Sequence, residues 1–482
     1  MSTSAKVTAR QRIENLLDDN SFVEIGAYVK ARNTDFNIQA KDTPSDGVIT
    51  GYGVINGGLV YVYSQDASVL GGSVGEMHAK KIASLYDMAM KTGSPVIGLI
   101  DSTGLRLQES VDGLNAFGQI YMKQSLASGV IPTVTAIFGN CGGGLSIVAG
   151  LSDFTFMEVE NAQLFVNSPN AITENRKEIC DNASAKFQSE EAGNVDFVGT
   201  EAEVIEGIRN LVSVLPSNNE DEASDLECYD DLNRAAEGIE NCGEDTLLAL
   251  ENISDDGFII EAKRNYAPEM VTAFIKLNGA TVGAVANRTK VYDDDMNVAA
   301  EFDAKLTAKG CNKAAEFVNF CDAFNIPVLT LTNVNGFAAT MCQEKNGAKA
   351  SSKLVYAFAN ATVPKVNLII GDAIGSAYVT MNSKATGADI VYAWPTAKVG
   401  MMEAKSAVEI MYADEIANGD ANQVINEKVA EYQNLQGSVM AAARGYVDSI
   451  VEPIDTRKYL IGAFEMLYTK FEERPGKKHG TV

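Results

Sequence analysis

The stretch FGNCGGGLSIVAG, Phe138 to Gly150, sets three consecutive glycines between a strand-like run and a helix-like run. A second stretch, IIGDAIGSAYVTM from Ile369 to Met381, has nearly the same build. Outward from these two turns the spacing repeats as well. Pro95 and Pro132 each begin an apolar run and stand 37 residues apart, and so do Pro327 and Pro364. Asp101 and Gly104 follow Pro95 by six and nine, as Asn333 and Gly336 follow Pro327. Gly144 and Leu145 follow Pro132 by 12 and 13, as Ser376 and Ala377 follow Pro364. This period is far too long for a solenoid. It predicts a gene-scale duplication: two similar α/β domains, each with a small-residue turn after a strand.

The segments between the prolines fit that plan. GGLVYVYSQD, PVIGLIDSTG and IPTVTAIFG read as strands, and GEMHAKKIASLYDMAMKTG reads as a helix with its apolar residues largely at helical spacing. In the second half NGATVGAVANRT, IPVLTLTNVNGF and VPKVNLIIGDA are strand-like, and KGCNKAAEFVNFCDAFN is helix-like. The most acidic stretch, Pro216 to Asp245, reads as a linker followed by the first helix of the second half. A boundary near Ser217 to Tyr229 gives domains 1–225 and 226–482.

The 482 residues carry a formal net charge of -25, which opposes binding to nucleic acid. No apolar run reaches the ~18 residues that cross a bilayer, and the polar N-terminus has no signal-peptide core. A cytoplasmic location is expected. The seven cysteines form no CxxC pair, and the only histidines are His78 and His479. Neither zinc nor a His-based triad is indicated, so no metal is expected.

A strand that ends in small residues and opens a helix leaves free backbone N–H groups. Such groups bind phosphate or stabilise an oxyanion such as an enolate. GNCGGGLS has no GKS or GKT, and GYGVIN at Gly51 is a broken GxGxxG inside a strand-rich region. Nor is GGGLSIV a nucleophile elbow, because the second glycine of GxSxG is absent. The bland alternative is that the glycines only permit close helix–strand packing.

The segments DGVITGYGVINGGLVYVYSQDASVLGGSVGEMHAKKI, PVIGLIDSTGLRLQESVDGL and SGVIPTVTAIFGNCGGGLSIVAGLSDFTFM resemble the N-terminal half of biotin-dependent acyl-CoA carboxyltransferases. The likeness continues through QEKNGAKASSKLVYAFANATVPKV, GSAYVTMNSKATGADIVYAWPTAKVGMMEAKSAVEIMY and the tail RPGKKHGTV. It covers about Arg10 to Val482, and it points to the group of propionyl-CoA carboxylase β-chains and methylmalonyl-CoA decarboxylase α-chains. The resemblance implies two tandem crotonase-like (ClpP/crotonase) β/α domains related by duplication. It implies one oxyanion hole from the amides of Gly144 and Leu145 and another from Ser376 and Ala377. Gly104, Leu105, Arg106, Gly143, Gly375, Tyr378 and Val379 are then the substrate-contacting candidates. It further implies acyl-CoA on the N-terminal half, biotin on the C-terminal half of another subunit, and a hexamer with active sites at dimer interfaces. The expected activity is exchange of a carboxyl group between carboxybiotin and a short acyl-CoA, of the propionyl/methylmalonyl or acetyl/malonyl kind.

The chain has no biotin-carrier AMKM motif and no ATP-grasp domain. The expected partners are a biotinyl carrier protein and either a biotin carboxylase or the membrane subunits of a sodium-pump decarboxylase. The chain also departs from the family pattern. TGLRLQES stands for GGARIQEG, GGGLSIV for AGGAVYS, and GSAYVTM for GGAYDVM, so Leu105 and Leu145 are expected to crowd or shift the acyl pocket. Arg106 and Gln108 either orient substrate or serve a turn. His78 either lies near the entrance or packs. Lys80, Lys81, Lys349 and Lys353 either meet the CoA phosphates or are solvated charges. Two other functions stay open at this level: a biotin-independent hydratase or isomerase of the same fold, and a non-catalytic scaffold subunit of a carboxylase.

Overall fold

The computed structural model describes residues 7–32, 42–173, 180–221, 228–293 and 295–474. Most of the tail motif, with His479, and residues 222–227 of the acidic linker lie outside them. The chain forms two compact units, Met1–Ala223 and Ser224–Val482.

In the first unit the strands are β1 (Val23–Ile25), β2 (Val48–Ile55), β3 (Gly58–Gln65), β4 (Val96–Ser102), β5 (Thr133–Gly142), β6 (Phe154–Glu158), β7 (Gln163–Phe165) and β8 (Phe197–Gly199). The helices are α1 (Ala9–Leu16), α2 (Glu76–Thr92), α3 (Ser110–Ala127), α4 (Gly144–Gly150) and α5 (Glu201–Val214). The sheet runs β1-β2-β3-β4-β5-β6-β8, with β7 also paired to β5. Pairing is antiparallel from β1 to β3 and parallel from β3 onward.

The second unit repeats this arrangement. Its strands are β9 (Ile259–Ala262), β10 (Met270–Leu277), β11 (Ala280–Asn287), β12 (Lys290–Tyr292), β13 (Val298–Glu301), β14 (Val328–Asn335), β15 (Lys365–Ile374), β16 (Ile390–Ala393), β17 (Lys398–Gly400) and β18 (Ser449–Ile450). Its helices are α6 (Thr246–Ile253), α7 (Ala308–Ala323), α8 (Met341–Asn360), α9 (Gly375–Thr380), α10 (Ala404–Met411), α11 (Ala413–Asn418), α12 (Ala421–Leu435), α13 (Ser438–Ala443) and α14 (Thr456–Leu467). The sheet order β18-β16-β15-β14-β11-β10-β9, with β17 on β15, matches the first sheet strand for strand. The hairpin β12–β13 is additional, and α11 and α12 bury no residue.

The four prolines explain why the register repeats. Each stands immediately before a strand, where its missing N–H costs no ladder bond. Its carbonyl accepts from the neighbouring strand: Pro95 from Tyr61, Pro132 from Val96, Pro327 from Gly283 and Pro364 from Val328, all at 2.8–3.0 Å. The strands β5 and β15 lie 232 places apart at both ends (365 against 133, 374 against 142). The two leading hairpins close through Asn56-Gly57 and Asn278-Gly279, all four residues at positive φ, as a two-residue type I′ loop requires. Val74, Ile82, Leu85, Ile100, Ile137 and Leu145 belong to the core of the first unit. Val271, Ile275, Leu329, Leu368 and Trp394 belong to that of the second.

One expectation is corrected. Among its described residues the acidic stretch contributes no helix of its own beyond a single 3-10 turn, Ile239–Asn241. The first helix of the second unit is α6, starting at Thr246. Asp245, the last residue of that stretch, is its N-cap and accepts from the Leu247 N–H at 3.2 Å. Asn, Asp and Gly spaced through the stretch favour turns over a continuing helix. Among the described residues no helix is long and apolar enough to cross a membrane.

Candidate active site

Parallel strands deliver their carboxyl ends, and the turns after them, to one edge of a sheet. In the first unit β5 ends at Gly142, and Gly143 adopts φ 60°, ψ -125° before α4 begins. A side chain is disfavoured in that conformation. The counterpart Gly375 has φ 71°.

The two peptide planes after Gly143 are pinned by their carbonyls. The Ser146 hydroxyl and N–H both donate to the Gly143 carbonyl, at 2.7 and 3.1 Å. The Tyr121 hydroxyl donates to the Gly144 carbonyl at 2.7 Å. A trans peptide is planar and its N–H points opposite its C=O. Holding these two carbonyls therefore aims the N–H groups of Gly144 and Leu145. Neither N–H finds an acceptor among the described residues. Ser146 is thus spent on the backbone and is no nucleophile. Tyr121, on α3, is a residue that no motif singled out.

The second turn is built likewise with other side chains. Thr380 donates to the Ser376 carbonyl at 2.9 Å and fixes the Ser376–Ala377 plane. The N–H groups of Ser376 and Ala377 also find no acceptor among the described residues. Ser376 and Val379 are exposed on α9, three residues apart and so on one face. Ala377 is buried. Tyr378 is part-buried and packs against the small core around Ile369 and Val391, and burial raises its phenol pKa.

The expectation that Leu145 crowds the acyl pocket is corrected: its side chain is 1% exposed and lies in the core. It anchors α4 while its amide faces out. Leu105 is half-buried and leans on the start of α3, where a Cβ on Gly113 would lie 3.2 Å from its Cδ1. Gly104 is buried beside the first turn, its Cβ position 3.5 Å from the Gly142 carbonyl.

Arg106 is 1% exposed, and its guanidinium is held by the protein. It donates to Asp46 at 2.6 Å, Glu109 at 2.8 Å and the Ser73 carbonyl at 2.7 Å. The same carboxylates cap α2: Glu109 accepts from the Glu76 N–H at 2.6 Å and Asp46 from the His78 N–H at 2.8 Å. The N-terminus of α2 is therefore filled by the protein's own anions. Arg106 N–H donates to the Val74 carbonyl and Val74 N–H to the Gly104 carbonyl, so this cluster holds the Gly104–Leu105 loop.

His78 is buried, its Nδ1 donating to the Asp46 carbonyl at 2.9 Å. Burial, with Arg106 close by, lowers its pKa to about 3, so the ring is neutral. Lys81 is buried against the carbonyls of Ser45 and Val48, and Lys80 pairs with Glu76. Burial pushes the Cys141 thiol up to about 12, which leaves it unreactive. No group of three or more potential metal ligands occurs among the described residues.

A cleft of about 240 Å³ opens in the second unit between α7, α8 and the loop after β14. Leu306, Phe337 and Ala338 give it an apolar wall, and Gln343, Glu344 and Ser351 a polar one. Asn335 and Ile374, the last residues of β14 and β15, are paired, so Phe337 and the second turn leave the sheet at the same edge.

Comparison with known proteins identifies the family. The carboxyl transferase domain family matches residues 2–482. The methylmalonyl-CoA decarboxylase subunit alpha of Propionigenium modestum is 39% identical, over 99% of this chain and 93% of that one. The propionyl-CoA carboxylase beta chain of Roseobacter denitrificans is 38% identical, over 99% and 94%. The crystal structure of transcarboxylase 12S with methylmalonyl-coenzyme A and methylmalonic acid bound, described as a hexamer assembly, aligns with a TM-score of 0.91 at 38% identity. That alignment covers 98% of this chain and 92% of the other. With its two crotonase-like units in tandem, the chain belongs to the carboxyl transferase family and is a biotin-dependent acyl-CoA carboxyltransferase.

Proposed function

We propose that the two turns are two oxyanion holes serving the two sides of one carboxyl transfer. The amides of Gly144 and Leu145 hold the thioester oxygen of a short acyl-CoA. Moving a carboxyl group to or from the α-carbon of a thioester passes through an enolate, whose charge gathers on that oxygen. Pre-aimed donors stabilise such charge without reorganising at the moment of reaction. Gly104 and Leu105 border the acyl group, with Arg106 acting through the loop it holds.

Carboxybiotin, on a separate carrier protein, supplies the carboxyl group. The second unit fits a biotin ring: the amides of Ser376 and Ala377 suit a ureido oxygen, and the apolar wall of Leu306 and Phe337 suits the bicyclic rings. Gly375 lets the chain turn there, while Tyr378 and Val379 flank the site. The observation that carries this proposal is the pair of duplicated turns, each with two N–H groups that find no acceptor among the described residues and at least one carbonyl pinned from behind. The substrate is of the propionyl/methylmalonyl or acetyl/malonyl kind. The chain assembles as a hexamer with active sites at dimer interfaces. Its partners are a biotinyl carrier protein and a biotin carboxylase or membrane decarboxylase subunits, and its place is cytoplasmic.

Purified chain with free biotin is expected to decarboxylate malonyl- or methylmalonyl-CoA slowly, as followed by chromatography of the CoA products. Hydration of crotonyl-CoA without biotin, in place of that reaction, would overturn the proposal. Val379 is 40% exposed on the same face of its helix as Ser376, and its side chain, at the biotin-side turn, is read as helping to set acyl preference where the two substrates meet. One methylene in an apolar pocket is worth roughly 1–3 kcal/mol of discrimination. Val379→Asp is expected to change the rate ratio between malonyl- and methylmalonyl-CoA more than it changes Tm. An unchanged ratio would leave Leu105 as the selector.

A further inference from the structure

Both strands that feed the turns change partners just before they end. Residues 134–137 of β5 pair with β6, but 140–142 pair with β7. Residues 366–369 of β15 pair with β16, but 372–374 pair with β17. The switch falls at Gly139 and at Gly371. On the other side of each strand the ladder breaks at the same level. Register with β4 shifts between Ile100 and Ser102, and register of β15 with β14 shifts between Thr332 and Val334. At each break three residues of the turn-feeding strand, 138–140 and 370–372, stand opposite one of its neighbour, Asp101 and Asn333. A bulge bends its strand and re-aims the residues beyond it.

The side chains of Asp101 and Asn333 lie across the glycines of the bulged segments. A Cβ on Gly139 would be 2.1 Å from Asp101 Oδ1, and one on Gly371 would be 2.5 Å from Asn333 Oδ1. Each side chain is itself held. Asp101 meets Arg12 at 3.3 Å, and Arg12 also bonds Glu201 at 2.8 Å and stacks over Phe138 at 4.6 Å. Asn333 Oδ1 accepts from the Asp372 N–H at 3.1 Å, and its Nδ2 donates to the Gly243 carbonyl at 3.4 Å. The two units thus share a shape, a planar polar side chain seated on a glycine, but not a charge.

We propose that Asp101–Gly139 and Asn333–Gly371 are positioning pairs that set the aim of the first and second turns. The pair wedges the strand end away from one neighbour and onto another, and so fixes where the amides five and six residues on will point. None of these four residues touches substrate. The inference rests on the reading of the turns as oxyanion holes.

The test uses the full assembled chain with free biotin and methylmalonyl-CoA, and with malonyl-CoA in parallel. Gly139→Ala and Gly371→Ala are each expected to lower kcat at least tenfold. The Kd for the CoA thioester, by calorimetry, should stay within about threefold, and the oligomer should persist. Because the second unit does the same work with an amide, Asp101→Asn should lose far less kcat than Asp101→Leu. This comparison decides the matter if Gly139→Ala fails to fold. Wild-type kcat in both alanine variants, or parallel loss of kcat, binding and Tm, overturns the proposal. So do equal losses for Asp101→Asn and Asp101→Leu. Gly144→Pro separates the two ideas. If it keeps wild-type kcat, the oxyanion reading fails and takes the pairs with it. If it is inactive while Gly139→Ala is not, only the positioning pairs fail.

Discussion

Replacing Ser376 by proline is expected to cut kcat for biotin-dependent decarboxylation of methylmalonyl-CoA by about 100- to 1,000-fold, the usual loss on removing one oxyanion-hole donor. The position suits the experiment. Ser376 is exposed in the first turn of α9, where proline is tolerated because no intrahelical N–H bond is lost. Its N–H has no acceptor among the described residues, so the substitution removes a donor the fold does not use. Tm should therefore move little, and the Kd for methylmalonyl-CoA, which we propose binds the other unit, should stay near the wild-type value. Ser376→Ala keeps the amide and should keep the rate. A proline variant with wild-type kcat would remove the second turn from the mechanism.

The second large effect falls on stability. Arg106→Met is expected to destabilise the first unit by about 3–5 kcal/mol, the cost of breaking a buried ion pair from one side. Asp46 and Glu109 are both fully buried, and each would lose its bond to the guanidinium while still facing the other. The Ser73 carbonyl would lose its partner too. Arg106→Lys should recover only part of the loss, because an ammonium cannot reproduce the planar fork that meets Asp46, Glu109 and Ser73 together. Denaturant unfolding at equal protein concentration measures this. Equal midpoints for Arg106→Met and the parent would show that the cluster contributes nothing net to the fold.

Much of the architecture is legible because it rests on backbone chemistry. Four prolines at repeated spacing mark four strand starts, since each lacks an N–H and needs a place where none is required. Small residues after β5 and β15 mark turns that other residues would strain. Side-chain direction is less legible. Leu145 and its counterpart Ala377 are both buried, and Ile147 and Val379 both exposed, which neither short apolar run announces. The phase of a seven- or six-residue helix is set by the core it meets, not by its own short pattern. Arg106 follows a site loop in sequence, but its partners Asp46 and Ser73 come from distant segments. Tyr121 belongs to no motif, because what matters is one hydroxyl reaching one carbonyl 23 residues on. The acidic stretch misleads because, among its described residues, its acidic side chains supply turns and a cap, Asp245, and no α-helix.

In the proposed mechanism the first turn recognises charge on the thioester oxygen and not the thioester as such. A nitronate analogue of the acyl-CoA carries that charge permanently and should bind tighter than the parent thioester, as mimics of a charged transition state do. The measurement is the ratio of the two dissociation constants, by calorimetry, in the wild type, Gly144→Pro and Ser376→Pro. The preference for the nitronate should be strong in the wild type and in Ser376→Pro, and should largely vanish in Gly144→Pro. A Gly144→Pro chain that keeps the wild-type preference would show that the first turn does not hold that oxygen.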